Sequence, residues 1–359
     1  MKQLIYMTKI AVFFGGKITK HLVLIRAAAK KLGVDLDLIS YNSVYFETET
    51  GKISLRNRDI NDFEVVFFRT TGKHWEEVDL IVENLKINSP KTVIVDPIVE
   101  KGKPSYACKA WQMLKLAEAG IPVPKTVYGS LWFLHETMDQ NSRQQSGKTI
   151  TDSRHQILSV LTPFGSTPRM IARGKIDSFE SGLVFQFPVI VKGSGGDRGT
   201  RVFKANNLAE LEKLVRELRK TETEEGKRYM LQEYIENKGD YRVLILGNKV
   251  LGVMKRSRQA EGEFRNNFSV GGKVEVAELP EAVKQMAVKA AEVCGIMVAG
   301  VDVMPKGGGY VVLEVNKGPQ FTGFMKATGI DVPMEIVKYL KSLSAQPLLP
   351  LKKGRNNNY

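Results

Sequence analysis

From Lys9 to Val95 short apolar runs alternate with stretches of helical periodicity, and that alternation confines the N-terminal part of the chain to an α/β layer. Residues 9–15, 34–39, 64–69 and 92–95 read as strands. Residues 19–31 and 76–85 read as helices, the first with Leu22, Ile25 and Ala29 on one face. Such an order predicts an open parallel sheet, and we assign residues 1–103 to it. A chain of 359 residues has room for two or three such lobes, and 43% hydrophobic residues suffice for their cores.

No apolar run approaches 18 residues, so no membrane span is expected. The apolar stretch from Ile10 to Phe14 meets Lys17 and Lys20 too soon for a secretory signal, and Met7 is an alternative start. Cys108 and Cys294 are far apart and form neither a disulfide framework nor a zinc motif. Free buried thiols in a reducing cytoplasm fit. His21, His74, His135 and His155 have no ligand spacing. The net charge is +14. It fits nucleic acid, as in an RNA- or ribosome-associated protein, an acidic substrate or partner, or a lysine-rich solvated surface; the absence of an aromatic-plus-basic RNA-binding motif disfavours the first.

Residues 105–119 form an amphipathic helix closed by Gly120, and residues 125–128 a strand. The pattern then weakens over residues 129–182, which include a polar loop at 141–147. From residue 188 it sharpens into strands at 188–192, 201–204 and 229–235, with a helix at 208–220 between the last two. A hairpin (241–246 and 250–255, around Gly247-Asn248), a helix (280–294), a second hairpin (298–304 and 310–315) and a last helix (332–343) follow. These divide the chain after residue 103 into a first lobe (104–186), a core (187–345) and a basic tail (346–359).

Four clusters carry chemistry. The loop Lys192-Gly193-Ser194-Gly195-Gly196-Asp197-Arg198-Gly199 can bring backbone N–H groups close to phosphates, yet it matches neither a Walker A loop nor a Rossmann fingerprint. Lys192, at a buried strand end, needs an anionic partner. Glu314 and Asn316 lie two apart on one strand and so face one side. The hairpin can place Asp302 beside them, giving an all-oxygen donor set suited to magnesium shared with phosphates. Arg265-Asn266-Asn267 offers donors for phosphoryl oxygens. Gln232-Glu233-Tyr234-Ile235 is a strand end that can face an adenine edge. Lys255-Arg256-Ser257-Arg258 is either a grip on an acidic substrate or a solvated hairpin edge.

Taken in order, Lys192-Gly193, Gln232-Glu233-Tyr234-Ile235, Gly239-Asp240-Tyr241-Arg242-Val243, Phe264-Arg265-Asn266-Asn267, Ala299-Gly300-Val301-Asp302 and Glu314-Val315-Asn316 resemble the ATP-grasp ligases. Phe264-Arg265-Asn266-Asn267 with Gly271-Gly272, and Ala327-Thr328-Gly329-Ile330, are most similar to the RimK-type carboxylate–amine ligases. The resemblance covers about residues 105–345. It implies an N-terminal open α/β (pre-ATP-grasp) domain followed by a two-lobed α+β ATP-grasp domain, and a cytoplasmic, ATP-dependent, ADP-forming enzyme. Lys109 and Lys192 would contact nucleotide phosphates, Glu233 and Tyr234 the adenine, and Asp240 the ribose. Arg265, with Asn266 and Asn267, would lie at the transferring phosphoryl group, Arg265 as the catalytic residue. Asp302, Glu314 and Asn316 would hold two Mg2+ ions, for which Mn2+ can substitute. The implied partners are acidic small-molecule or peptide carboxylate and amine substrates, and further copies of the chain in a homo-oligomer; no membrane or nucleic acid is implied. A non-catalytic ATP-binding regulator of the same fold is the alternative, which the joint presence of Arg265, Asp302, Glu314 and Asn316 disfavours.

Overall fold

Ile10, Ala11, Val12 and Phe13 are completely buried, as a central strand covered on both faces requires. They belong to a computed structural model that describes residues 7–55, 58–102, 108–131, 134–135, 138, 185–193, 201–220, 229–257 and 273–344. The described residues fall into two units. One runs to Pro124 and resumes at Ile235; the other comprises Lys125 to Gly193 and Arg201 to Tyr234.

The first unit opens with β1 (Lys9–Phe14), α1 (Lys20–Lys31) and β2 (Asp35–Ser40). The short strands β3 (Val44–Glu47), β4 (Lys52–Leu55) and β5 (Arg58–Asp59) form a small antiparallel sheet of their own. Then come β6 (Val65–Phe68), α2 (Trp75–Asn88) and β7 (Val93–Val95). The larger strands pair in parallel in the order β2-β1-β6-β7, the open sheet expected from the alternation. The small sheet was not legible in the sequence, because its strands are two to four residues long and β3 is mostly exposed.

The second unit holds β8 (Thr126–Gly129), β9 (Val189–Gly193), β10 (Val202–Ala205), α4 (Leu208–Lys220) and β11 (Tyr229–Glu233). Its strands are antiparallel in the order β10-β9-β11-β8, and Leu211 and Val215 of α4 pack on Val189, Val191 and Leu231.

The first unit continues with α3 (Lys109–Glu118), β12 (Asp240–Leu246), β13 (Lys249–Ser257) and β14 (Lys273–Val276). It ends with α5 (Glu281–Val293), β15 (Val298–Lys306), β16 (Gly309–Lys317), α6 (Thr322–Thr328) and α7 (Val332–Ser344). Its second large sheet runs β14-β13-β12-β15-β16, with each neighbouring pair antiparallel. A single apolar core joins β1, α1 and α7 to Leu244, Met254, Val298, Phe321 and Phe324. The buried Asp96 carboxylate accepts from the N–H groups of Met297 (2.7 Å) and Val298 (3.0 Å), tying the end of the parallel sheet to the start of β15.

Cys294 is buried, and burial pushes its thiol up to about 12. Cys108 is only half-buried, so the expectation of two buried thiols holds for one. No helix among the described residues is long and apolar enough to cross a membrane.

Candidate functional site

Strand alternation determines which side chains of the second sheet meet. Asp302 of β15 lies opposite Arg242 of β12 on one side and opposite Glu314 of β16 on the other. Asp240 lies opposite Arg256 of β13. Asn316 is two residues beyond Glu314 and therefore shares its face. The register slips after Asp302, where Val303 pairs with Val312 and Leu313 is left as the extra residue of a bulge. The bulge lies past the Asp302–Glu314 pair and leaves that pair in register.

The resulting contacts are specific. Arg242 grips Asp302 with a fork, Nε to Oδ1 at 2.7 Å and Nη2 to Oδ2 at 2.8 Å. Arg256 lies between two carboxylates: its Nε is 2.6 Å from Oδ1 of Asp240 and its Nη2 is 2.9 Å from Oδ2 of Asp302. Asn316 donates from Nδ2 to Oδ2 of Asp302 and to the Gly300 carbonyl, both at 3.3 Å, which leaves Oδ1 as its acceptor. Asp240, Arg256 and Asp302 are each 5% exposed or less.

Charge pairing makes that burial tolerable. Burial alone would raise the Asp302 carboxyl, but Arg242 and Arg256 hold it well below the usual carboxylate range. Burial would likewise lower Arg256, and Asp302 and Asp240 outweigh it, so its guanidinium is held above its ordinary value. Asp302 is thus kept ionised, with both of its oxygens engaged by guanidinium groups.

The α3 helix reaches this face by an unexpected device. Gln112 donates from Nε2 to the Val315 carbonyl (2.7 Å), and its Oε1 accepts from the Val315 N–H (3.0 Å). A side-chain amide thereby pairs with edge strand β16 as another strand would. Lys109, one turn earlier on α3, is then held with Nζ 3.4 Å from Oε2 of Glu314.

The structure therefore gathers Lys109, Asp240, Asp302, Glu314 and Asn316 on one face of the first unit. Lys192, Glu233 and Tyr234 belong to the second unit. There Lys192 lies on β9 between Val202 and Met230 of the neighbouring strands. The Glu233 N–H donates to the Lys125 carbonyl, and Glu233 Oε1 accepts from the Lys125 N–H at 2.6 Å. Lys204 holds Nζ 4.0 Å from the centre of the Tyr234 ring. Arg265, Asn266, Asn267, residues 194–199 and Gly271-Gly272 lie outside the described residues.

Sequence reading missed Arg242, Arg256 and Gln112. Arg242 had a signal: Asp240 and Arg242 alternate with Tyr241 and Val243, so one polar face of that strand was readable, whereas Arg256 sits in a run of polar residues. The suggestion that residues 255–258 are a solvated edge or a substrate grip fails for Arg256, which is 3% exposed and committed to two carboxylates. Gln112 had no signal, because an amphipathic helix does not reveal which polar residue will meet an edge strand.

Among the described residues no three His, Cys, Asp or Glu side chains gather as a metal cluster. The donor set here is two carboxylates and an amide oxygen, all hard donors. It fits a magnesium ion that takes its remaining ligands from phosphates and water.

An open parallel sheet followed by two antiparallel sheets is the fold this chain shares with solved ATP-grasp ligases. The ATP-grasp ligase PsnB, solved with a minimal precursor, matches at a TM-score of 0.62 and 17% identity, over 94% of this chain and 99% of that one. A RimK-domain ATP-grasp protein from Sphaerobacter thermophilus matches at 0.61 and 16%, over 92% and 99%. D-alanine–D-alanine ligase from Bacillus anthracis matches at 0.55 and 17%, over 94% and 97%. More particularly, residues 169–340, just under half of the chain, match the family model of the RimK-like ATP-grasp domain. The probable alpha-L-glutamate ligase of Syntrophotalea carbinolica is 38% identical over 156 residues, 43% of this chain and 50% of that protein. Its counterpart in Picosynechococcus is 37% identical over 160 residues, 44% and 52%. The chain spans about half the length of the curated relatives it matches.

Proposed function

We propose that this protein is an ATP- and magnesium-dependent ligase that joins a carboxylate to an amine through an acyl phosphate, adding an amino acid such as glutamate to a small molecule or a protein terminus. The observation that carries this reading is the ionised Asp302, held by two arginines directly opposite Glu314 and beside Asn316. A carboxylate bound to two guanidiniums is an ordinary structural device. A second carboxylate and an amide oxygen on the same face make it a cation site.

In this reading Asp302, Glu314 and Asn316 hold the metal, one ion or two. When bound, magnesium supplies positive charge to the phosphate oxygens during transfer. Lys109 and Lys192 contact the phosphates, Glu233 and Tyr234 the adenine, and Asp240 the ribose. Arg265, with Asn266 and Asn267, stabilises the charge that develops on the transferring group. The substrate carboxylate oxygen attacks the γ-phosphorus, and ADP leaves. The amine then attacks the acyl carbon, and phosphate leaves with the electron pair of the broken C–O bond. The net charge of +14 suits acidic substrates. The glutamate ligase names of the relatives suit them equally.

The test is to incubate the chain with ATP, magnesium and pools of amino acids and acidic peptides, and to follow ADP release and product mass. Turnover that depends on both a carboxylate and an amine is expected, and Glu314→Ala should abolish it. ATP binding without ADP release from any pool would replace the ligase reading with the regulator. An unchanged rate in Glu314→Ala would overturn the metal assignment.

A further inference from the structure

The parallel sheet of the first unit has a feature that the metal face does not use. The chain leaves β1 through α1 to β2 on one side, then returns to place β6 on the other side of β1. The crevice between the carboxyl ends of β1 and β6 is therefore a topological switch point, where open α/β sheets bind ligands.

His74 stands in that crevice. Its Nδ1 is 3.1 Å from Oε1 of Glu77. An ionised carboxylate only accepts, so Nδ1 carries the hydrogen, and in the neutral ring Nε2 is the nitrogen with the lone pair. Burial pushes the Glu77 carboxyl up, but the His74 contact together with a backbone N–H hydrogen bond brings it below its ordinary value. Tyr41, at the end of β2, stacks on the imidazole with centroids 4.7 Å apart and planes 15° apart. On the β1 side the ring fills the space a side chain would need: a Cβ on Gly15 would come within 2.9 Å of His74 Cδ2. The Gly15 N–H donates to Thr70 Oγ1 at 3.1 Å, closing the two loops on each other. The imidazole is thus fixed on three sides, and its side chain is still 26% exposed.

The crevice also borders the segment that follows Asn316. Arg69, next to Thr70, donates from Nη2 to the Pro319 carbonyl, and Lys317 donates from Nζ to the Phe68 carbonyl. The His21 ring meets Phe321 edge-on at 4.4 Å. The end of β6, from which the loop to His74 leaves, and the segment leaving the metal face are therefore clamped together.

We propose that the amine substrate binds in this crevice and that His74, oriented by Glu77, takes its proton. The proposal rests on the ligase reading above. An ammonium has no lone pair with which to attack an acyl phosphate. One N–H bond breaks and its proton goes to Nε2 of His74; the freed pair forms the C–N bond as the acyl C–O bond breaks, and the second N–H proton leaves with the departing phosphate. Nothing in this step requires His74 during formation of the acyl phosphate.

That division supplies the test. The full chain is given ATP, magnesium and a pool of small carboxylic acids and acidic peptides, with either an amino-acid pool or hydroxylamine as nucleophile. Hydroxylamine is largely unprotonated at neutral pH and needs no base. His74→Gln should lose amino-acid ligation about 100-fold and keep hydroxamate formation, which also reports that the variant is folded. Glu77→Gln should fall between His74→Gln and wild type in amino-acid ligation. Unchanged amino-acid ligation in His74→Gln, or an equal loss of both products, would overturn the assignment of His74 while leaving the ligase reading intact. An unchanged Glu77→Gln would overturn its orienting role. No hydroxamate from the wild type with any carboxylate would remove the ligase reading itself, and this inference with it.

Discussion

Arg242 and Asp302 face each other across β12 and β15 and share two hydrogen bonds, of 2.7 and 2.8 Å. A fork of this kind fixes the plane of a carboxylate as well as its charge. Arg242→Lys keeps the charge and loses the fork. We expect it to cost about 1–3 kcal/mol of stability by urea titration and to weaken magnesium-dependent turnover more than ATP binding.

Arg256 holds Asp240 and Asp302 at once, and it has almost no exposure to water. Its removal would leave two carboxylates buried without their shared counter-charge. Arg256→Met should therefore destabilise the chain by about 3–5 kcal/mol, read as a lowered urea midpoint at unchanged slope. A loss near zero would mean that the carboxylates find other partners.

Gly318 has φ +59°, and a Cβ there would run into the backbone oxygen and Nη1 of Arg69. Gly308 also has positive φ, +80°, but a Cβ there meets nothing within 4 Å. Gly318→Ala should lower stability by about 2 kcal/mol more than Gly308→Ala, since it adds a collision to the shared backbone strain. Thermal melting of the two variants side by side checks this.

Gln112→Ala leaves the N–H and carbonyl of Val315 without their side-chain partner and frees the turn that carries Lys109. A stability loss of about 1–3 kcal/mol is expected. Activity should fall as well, although Gln112 lies outside the proposed set of ATP and metal ligands.

Asp302 and Lys317 give opposite pH signatures. Asp302 has a depressed carboxyl in the fold, so its contribution is complete above the unfolded value of about 3.9 and is lost as pH falls toward its folded value. Burial lowers Lys317 to about 8, with Arg69 assisting and Asp96 opposing, so below pH 8 the fold bears the full cost of its charge. Between about 8 and 10.5 the unfolded chain binds more protons than the native one, and this group makes stability rise with pH. Denaturant titrations of wild type and Lys317→Met across that window should differ in slope, the variant lacking the rise.

The sequence by itself determined the repeating units of this protein. Period-two and period-3.6 patterns placed β1, α1, β6, α4 and the β15–β16 hairpin to within one or two residues, because burial of one face dictates them locally. The two-residue spacing of Glu314 and Asn316 was likewise enough to put them on one face. Local pattern did not reveal the small sheet of β3, β4 and β5, the short strand β14 or helix α6, which are too brief to register. Only the tertiary structure decided the partners. Strand order brought Arg242 and Arg256 to Asp302, an edge strand recruited Gln112, and a switch point between β1 and β6 set His74 beside Gly15. Those contacts join residues up to 203 positions apart, as Gln112 and Val315 show, and local periodicity carries no record of such pairings.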